Sequence, residues 1–125
     1  MKALFALAIF ILSPFVLAED CEPMSPQAHE ACLRAAEPEA TLNSTYKKIL
    51  DMYDKQGKTD PSRLQLKKAI IESQKQWVKF READCNAVAL LYAGGSGRLA
   101  YSVECWTANA KSRTKELEDQ FSPNR

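Results

Sequence analysis

Hydrophobic residues recur through most of this chain at the three- and four-residue steps of a helical face. The first run ends before Gly57, a helix-stop signal, and consists of Leu42, Tyr46, Ile49, Leu50 and Tyr53. The second run follows the Asp60-Pro61 pair, a helix-start signal, and its members stand seven residues apart: Leu64, Ile71, Val78, Cys85 and Tyr92. The third run begins near Arg98 and comprises Leu99, Val103, Trp106, Ala110, Arg113 and Leu117. No segment alternates with a two-residue period, so the pattern predicts an all-α fold.

A short additional helix is predicted at the N-terminal end. Ser25 suits the N-cap position and Pro26 the first helical position. Pro38 is expected to end this helix, because a proline inside a helix removes a backbone hydrogen bond and clashes with the preceding turn. The predicted fold is therefore a small helical bundle stapled by disulfides. It contains a long antiparallel helical hairpin, one packed helix and the short N-terminal helix.

The glycine-rich turn "GGSG" makes the second and third helices an antiparallel hairpin. Reflection about Gly95 pairs positions whose numbers sum to 190, and Cys85 and Cys105 meet that condition. Each lies ten residues from the centre of the turn, so the two side chains stand at equal height. Four cysteines allow three pairings. The symmetry favours Cys85 with Cys105, which leaves Cys21 with Cys32.

Polar residues lie near the centre of the apolar face of the second helix. In "ESQKQWVKFREADC", Gln74, Arg81 and Cys85 fall within one narrow arc at about 100° per residue. Arg113 interrupts the apolar face of the third helix in the same way. These side chains are either scaffold, with stems packed in the core and polar ends paired, or a ligand site. We favour the scaffold, because buried charges are ordinarily paired. The candidate counter-charges are Asp84, Glu104 and Glu116.

The first eighteen residues have the organisation of a secretory signal peptide. Lys2 precedes the apolar run "ALFALAIFIL", and a cleavage site follows at Ala18. We expect residues 1–18 to form the leader and residues 19–125 to form one exported helical domain, periplasmic or secreted. A membrane anchor is one alternative, but the run is short for a bilayer span. A lipoprotein is another, but "AED" before Cys21 is not the small, neutral sequence that lipidation requires.

Charge and cysteine content narrow the class of partner. The chain has 17 Lys and Arg residues against 16 Asp and Glu residues, and Lys2 is lost with the leader. The mature chain is therefore close to neutral, which argues against nucleic acid as a partner. All four cysteines lie in the mature part. An even number in a small exported domain indicates two disulfides, which compensate for a limited hydrophobic core.

The sequence lacks the residues that a metal, haem or catalytic site would need. The chain has no Cys-x-x-Cys pair, and His29 is its one histidine, so zinc and haem would lack their usual ligands. The acidic pairs Glu82/Asp84 and Glu116/Glu118 are spaced two residues apart. On a helix that spacing points the carboxylates in different directions, whereas a hydrolase needs two facing carboxylates. The sequence therefore predicts a protein that is not an enzyme and holds no cofactor.

The segment "GGSGR" at the hairpin turn has two interpretations. It is too short and too unlike a P-loop to bind nucleotide phosphates. It is either a plain turn that begins the third helix, or an exposed tip that presents the hydroxyl of Ser96 and the guanidinium of Arg98. The residues alone leave both interpretations open.

Five short motifs occur in a specific order: "LNSTY", "SQKQWVKFREADC", "YAGGS", "EC" and "KSRTKEL". Together they resemble the N-terminal domain family of the lysozyme inhibitor LprI, a family of small exported bacterial helical domains. The resemblance covers essentially the whole mature domain, including Cys21 and Cys32 upstream. It implies that the residues matching the family pattern form a structural framework: Asn43, Tyr46, Gln74, Trp77, Arg81 and Arg113.

The resemblance implies an exported, non-enzymatic protein that binds and inhibits a lysozyme. Muramidases cleave their substrate with two carboxylates in a cleft, so an inhibitor needs a tip with hydrogen-bond donors or a cation. Ser96 and Arg98 are the candidate partner-binding residues on this argument, since the resemblance carries no established inhibitory residue. The alternative is a periplasmic immunity or envelope-associated protein with a different partner. This chain departs from the family's namesake, which looks like a lipoprotein, because it has no lipid box.

Overall fold

The computed structural model of the protein describes residues 25–122, which form three α-helices and no strand. The helices are α1 (Pro26–Gln56), α2 (Ser62–Leu91) and α3 (Arg98–Phe121). The predicted all-α fold is confirmed. The predicted leader, Cys21 and the last three residues lie outside the described part of the chain. No helix between residues 25 and 122 combines the length and the hydrophobicity needed to cross a bilayer.

The helices begin and end at the signals that the sequence contains. At the start of α1, the Ser25 hydroxyl accepts a hydrogen bond from the backbone N–H of Ala28 at 3.4 Å. At its end, the N–H of Gly57 donates to the carbonyl of Tyr53 at 2.9 Å. Before α2, the Asp60 carboxylate accepts from the N–H of Ser62 at 3.0 Å. These bonds satisfy backbone groups that a helix terminus leaves without an intrahelical partner.

The prediction that Pro38 ends a short N-terminal helix is wrong. Helix α1 continues through Pro38 for 31 residues. The reason is that Ala31, Pro38 and Leu42 share one face, and all three are buried. An internal proline costs a helix about 3 kcal/mol, and burial of the segments on both sides of Pro38 offsets that cost. The predicted packed helix and N-terminal helix are therefore one element.

The three helices form a bundle in which α2 runs antiparallel to both neighbours. Helices α1 and α3 are parallel, and their C-terminal ends are joined by a hydrogen bond of 3.2 Å from the Tyr53 hydroxyl to the Phe121 carbonyl. An ion pair between Asp54 and Lys67 links α1 to α2 near the first loop. The buried apolar core lies toward this end of the bundle, away from the hairpin turn, and comprises Leu42, Ile49, Tyr53, Ile70, Ala110 and Leu117.

The predicted apolar stripe on α2, whose members stand seven residues apart, coincides only partly with the buried face of the helix. Cys85 is buried, but Leu64 and Tyr92 at the two ends are 39% and 36% exposed. The buried face also includes Ile70 and Arg81. Seven residues fall about 20° short of two full helical turns, so a strict seven-residue repeat drifts around a straight helix. Over the four repeats between Leu64 and Tyr92 the drift takes both ends away from the core.

Candidate functional site

Polar side chains surround Arg113 just beyond the apolar core. The Arg113 guanidinium donates to the Gln74 amide oxygen at 3.0 Å and to the Ser73 hydroxyl at 2.9 Å. It also pairs with the Glu116 carboxylate at 3.1 Å, one of the counter-charges that the sequence suggested. Arg113 is 7% exposed, so these bonds compensate for its removal from water. We call this group of side chains the Arg113 layer.

The Arg81 layer follows, about two helical turns closer to the hairpin turn. Arg81 is 1% exposed and forms a buried ion pair with Glu39 on α1. Its guanidinium carbon lies 4.5 Å from the ring centroid of Trp77 and 4.3 Å from that of Trp106. The cation is therefore enclosed by two indole rings, an arrangement that stabilises a desolvated charge by about 2 kcal/mol or more. Side chains from all three helices meet in this layer.

Burial dominates the electrostatics of the Arg81 layer. Desolvation raises the pKa of the Glu39 carboxyl above its ordinary value, and the neighbouring Arg81 offsets part of the rise. Desolvation likewise lowers the pKa of the Arg81 guanidinium, which Glu39 opposes. In both groups, removal from water opposes the charged form and the partner's charge favours it. In the Arg113 layer, burial raises the pKa of Tyr46, and Arg113 acts in the opposite direction.

Because the pKa of Glu39 is raised, we predict that the stability of the fold depends on pH. The pKa of the Glu39 carboxyl is higher in the folded protein than its unfolded value of 4.5. Protonated Glu39 therefore contributes its full stabilisation of the fold below pH 4.5, and this contribution is lost as the pH rises through the folded pKa. The melting temperature of the wild type should therefore fall relative to that of Glu39→Gln between about pH 4 and pH 7. Thermal melts of both proteins across that range check it. A relative rise in the wild type would show that the folded pKa lies below 4.5.

A disulfide between Cys85 and Cys105 follows the Arg81 layer. The two Cα atoms are 5.6 Å apart, so the bond joins α2 to α3 at equal distances from the turn, as the hairpin symmetry predicts. Cys85 is 1% exposed. Within residues 25–122, the sulfur atoms of these two cysteines and the Asp84 carboxylate form one group with metal-ligand spacing. The two sulfurs are bonded to each other, however, and thiolates are the ligand form of cysteine.

The hairpin turn has a backbone conformation that depends on its glycines. Gly94 has a φ of 86°, in the left-handed region that favours glycine. A Cβ atom at Gly97 would lie 3.0 Å from a ring carbon of Tyr101, so the absence of a side chain there lets that ring pack over the turn. The ring of Tyr101 stacks on that of Tyr92, with centroids 3.7 Å apart. An aromatic pair therefore packs across the turn.

The hairpin tip, residues 92–101, presents an exposed surface of aromatic and aliphatic side chains around one cation. Tyr92 is 36% exposed, Leu99 46% and Tyr101 42%. Arg98 is the one charged residue between Asp84 and Glu104 in the sequence. Ser96 and Arg98 are both exposed. The Arg98 guanidinium has no carboxylate partner among the residues that the structure describes.

Arg98 also stands at an unfavourable position for the helix. It is the first residue of α3, and the first turn of this helix contains no acidic residue. A cation at a helix N-terminus opposes the helix dipole and costs about 0.3–1 kcal/mol. No contact of Arg98 within the described residues offsets this loss of stability. A side chain that lowers stability without a structural partner is a candidate for function.

A comparison with models of known protein families gives one match, to the family described as lysozyme inhibitor LprI, over residues 20–117. The chain belongs to the LprI family. The match spans all three helices except the last few residues of α3. No curated protein and no solved structure matches the chain.

The structure of this LprI-family chain brings most of the residues expected to form its framework into the two polar layers. Gln74 and Arg113 lie in one, Arg81 lies in the other, and Trp77 lies between them, with its ring centroid 5.9 Å from the Arg113 guanidinium. Asn43 lies apart from these contacts. It is partly buried, and its amide nitrogen makes no hydrogen bond within the described residues.

Sequence reasoning missed several residues that matter in this LprI-family fold. Glu39 is the counter-charge of Arg81, but a helix that ends at Pro38 would exclude it from the buried face of α1. Its position three residues before Leu42 continues the buried face of α1, and that spacing is the signal that could have found it. Tyr92 and Leu99 continue the predicted apolar faces of the second and third helices, yet they contribute to the exposed tip. Arg81 and Arg113 have other partners than Asp84 and Glu104.

Proposed function

We propose that this protein is exported and inhibits a lysozyme by inserting its hairpin tip into the muramidase cleft. Membership of the LprI family supports the class of activity. The apolar run within residues 1–18 supports export, and cleavage after Ala18 would release the helical domain from the leader. The tip supports the site, because it combines exposed tyrosines with a single arginine. Tyr and Arg are the residues that most often dominate binding energy at protein interfaces.

The unpaired cation at the tip is the observation that carries this proposal. A muramidase cleft contains two carboxylates, which are the natural partners of a guanidinium. Arg98 would pair with one of them, and Ser96 would donate a hydrogen bond beside it. Tyr92, Leu99 and Tyr101 would exclude water from around the pair, which strengthens it. The glycines keep the turn narrow, so that the tip can enter a cleft that a helix face cannot.

The double change Ser96→Ala/Arg98→Ala tests the tip. Inhibition should fall by about tenfold or more, which corresponds to a loss of about 1.4 kcal/mol of binding free energy. Stability should stay the same or rise by a few tenths of a kcal/mol, because the change removes a cation from a helix N-terminus. A turbidity assay with lysozyme measures inhibition, and a thermal melt measures stability.

The matched control is Lys111→Ala/Ser112→Ala, which removes an exposed cation and an exposed hydroxyl from the side of α3. It should inhibit as well as the wild type. If the tip variant folds and inhibits as strongly as the control, the tip is not the binding site, although the inhibitor function stands. A wild-type protein that inhibits none of several lysozyme types would contradict the function itself, and would favour an immunity or envelope-associated role with another partner.

A further inference from the structure

Helix α2 has a second apolar face, directed away from α1 and α3. Phe80 is 59% exposed, Leu90 61% and Leu91 75%, and these are the three most exposed large hydrophobic side chains between residues 25 and 122. Ala83 and Ala87 lie between them along the helix and are also exposed. We call these five residues the α2 stripe.

The α2 stripe has the geometry of a helix-packing surface. At about 100° per residue its side chains fall within an arc of about 100°, which is the width of the apolar face of a packed helix. Arg81 and Cys85, which mark the buried face, lie on the opposite side of α2. No charged residue between Phe80 and Leu91 falls within the arc, and Lys79 and Asp84 each lie about 20° beyond one of its edges. Asp84 leans toward α3, where its carboxylate lies 3.5 Å from the Asn109 side-chain nitrogen.

The stripe is also complementary to itself. If a second α2 lies antiparallel across it, with a twofold axis at the height of Cys85, positions whose numbers sum to 170 face each other. Phe80 then faces Leu90 of the second copy, and Ala83 faces Ala87. The two small residues at the centre let the helices approach closely, and the large side chains at each end pack against each other. A twofold interface requires this reciprocal pairing.

We propose that the α2 stripe is the interface of an antiparallel homodimer. Side chains of this size and exposure offer roughly 400–500 Å² of apolar surface per copy, so that a dimer would bury about 1,000 Å² in total, near the lower limit for a specific interface. The dimer should therefore form at micromolar concentrations. The same rule places Tyr92 of each copy at the height of Val78 of the other, so each hairpin tip lies beside α2 of the second copy. The proposal does not depend on the lysozyme-inhibitor function.

Sedimentation velocity of the purified exported protein, from about 1 to 100 μM, tests the proposal. The wild type should shift toward twice the monomer mass as concentration rises. Phe80→Glu and Leu90→Lys, each alone, should weaken association by at least about tenfold, because each buries an unpaired charge. Together they should restore the dimer, because the twofold axis places each glutamate opposite a lysine of the other copy. The two positions are about 15 Å apart within one helix, so they do not pair within one molecule.

Leu33→Glu is the matched control, since Leu33 is 41% exposed on α1, and it should dimerise like the wild type. Unchanged helicity and an unchanged melting temperature in the single variants would show that they fold. A wild type that stays monomeric at all concentrations overturns the proposal, and so does a double variant that fails to associate. A monomer that instead co-sediments with vesicles of phosphatidylethanolamine and phosphatidylglycerol would reassign the stripe to a lipid surface.

Discussion

Arg81→Ala should destabilise the fold by about 3–5 kcal/mol, the usual cost of removing one partner of a buried ion pair. The change leaves the Glu39 carboxylate inside the bundle without a counter-charge, and it empties the space between Trp77 and Trp106. For a domain of this size the melting temperature should fall by at least about 12 °C. The loss should be smaller at acidic pH, because the isolated carboxyl then takes up a proton. Thermal melts at two pH values measure both effects.

Two further variants separate the ion pair from general effects of removing an arginine. Arg63→Ala breaks an exposed pair with Asp60, whose side chain is 47% exposed, and should cost less than about 1 kcal/mol. Arg81→Met combined with Glu39→Leu replaces the buried charges with apolar side chains and should recover most of the loss. An Arg81→Ala protein that melts like the wild type but no longer binds its partner would make Arg81 a ligand residue and would contradict its structural role.

Replacement of Cys85 and Cys105 by serine should lower the free energy of unfolding by about 3 kcal/mol, as expected for a bond that closes a loop of 20 residues. The effect should be concentrated at the hairpin tip. Amide hydrogen exchange should accelerate strongly for residues 86–104 and much less for residues 62–77, which pack on the apolar core. A uniform increase across α2 would contradict this local effect.

A separate experiment tests the pairing of all four cysteines. Peptide mapping of the exported protein should recover Cys85 linked to Cys105, and we expect Cys21 to be linked to Cys32. Intact-mass measurement should show four fewer protons than in the fully reduced protein, as two disulfides require. A peptide that joins Cys32 to Cys85 would contradict both pairings.

The bounds of α2 and α3 could be predicted because local chemistry fixes them. Asp60, Pro61 and the glycines of the turn act on the backbone next to them, so their effect is visible in the sequence. The Cys85–Cys105 bond followed from the same turn, because an antiparallel hairpin has only one register once its centre is known. These predictions needed no knowledge of how the helices pack.

The remaining features depend on packing between helices that are distant in sequence. Pro38 stays helical because α1 is buried on both sides of it, which local propensity does not reveal. Glu39 meets Arg81 across 42 positions of sequence. Periodicity identified apolar faces but not which of them another element covers. For that reason periodicity put Tyr92 and Leu99 on apolar faces that the fold leaves exposed at these positions, and it did not reveal the exposed face containing Phe80.

The position of the two tryptophans has a consequence for spectroscopy. Trp77 and Trp106 are the chain's only tryptophans, and both contact the same guanidinium. Intrinsic fluorescence therefore reports on one cross-section of the bundle, whereas circular dichroism at 222 nm, the usual helix band, averages over all three helices. If unfolding is a single cooperative step, the two signals change together. A fluorescence transition that precedes the loss of helix would show that the aromatic enclosure of Arg81 opens while the helices remain folded.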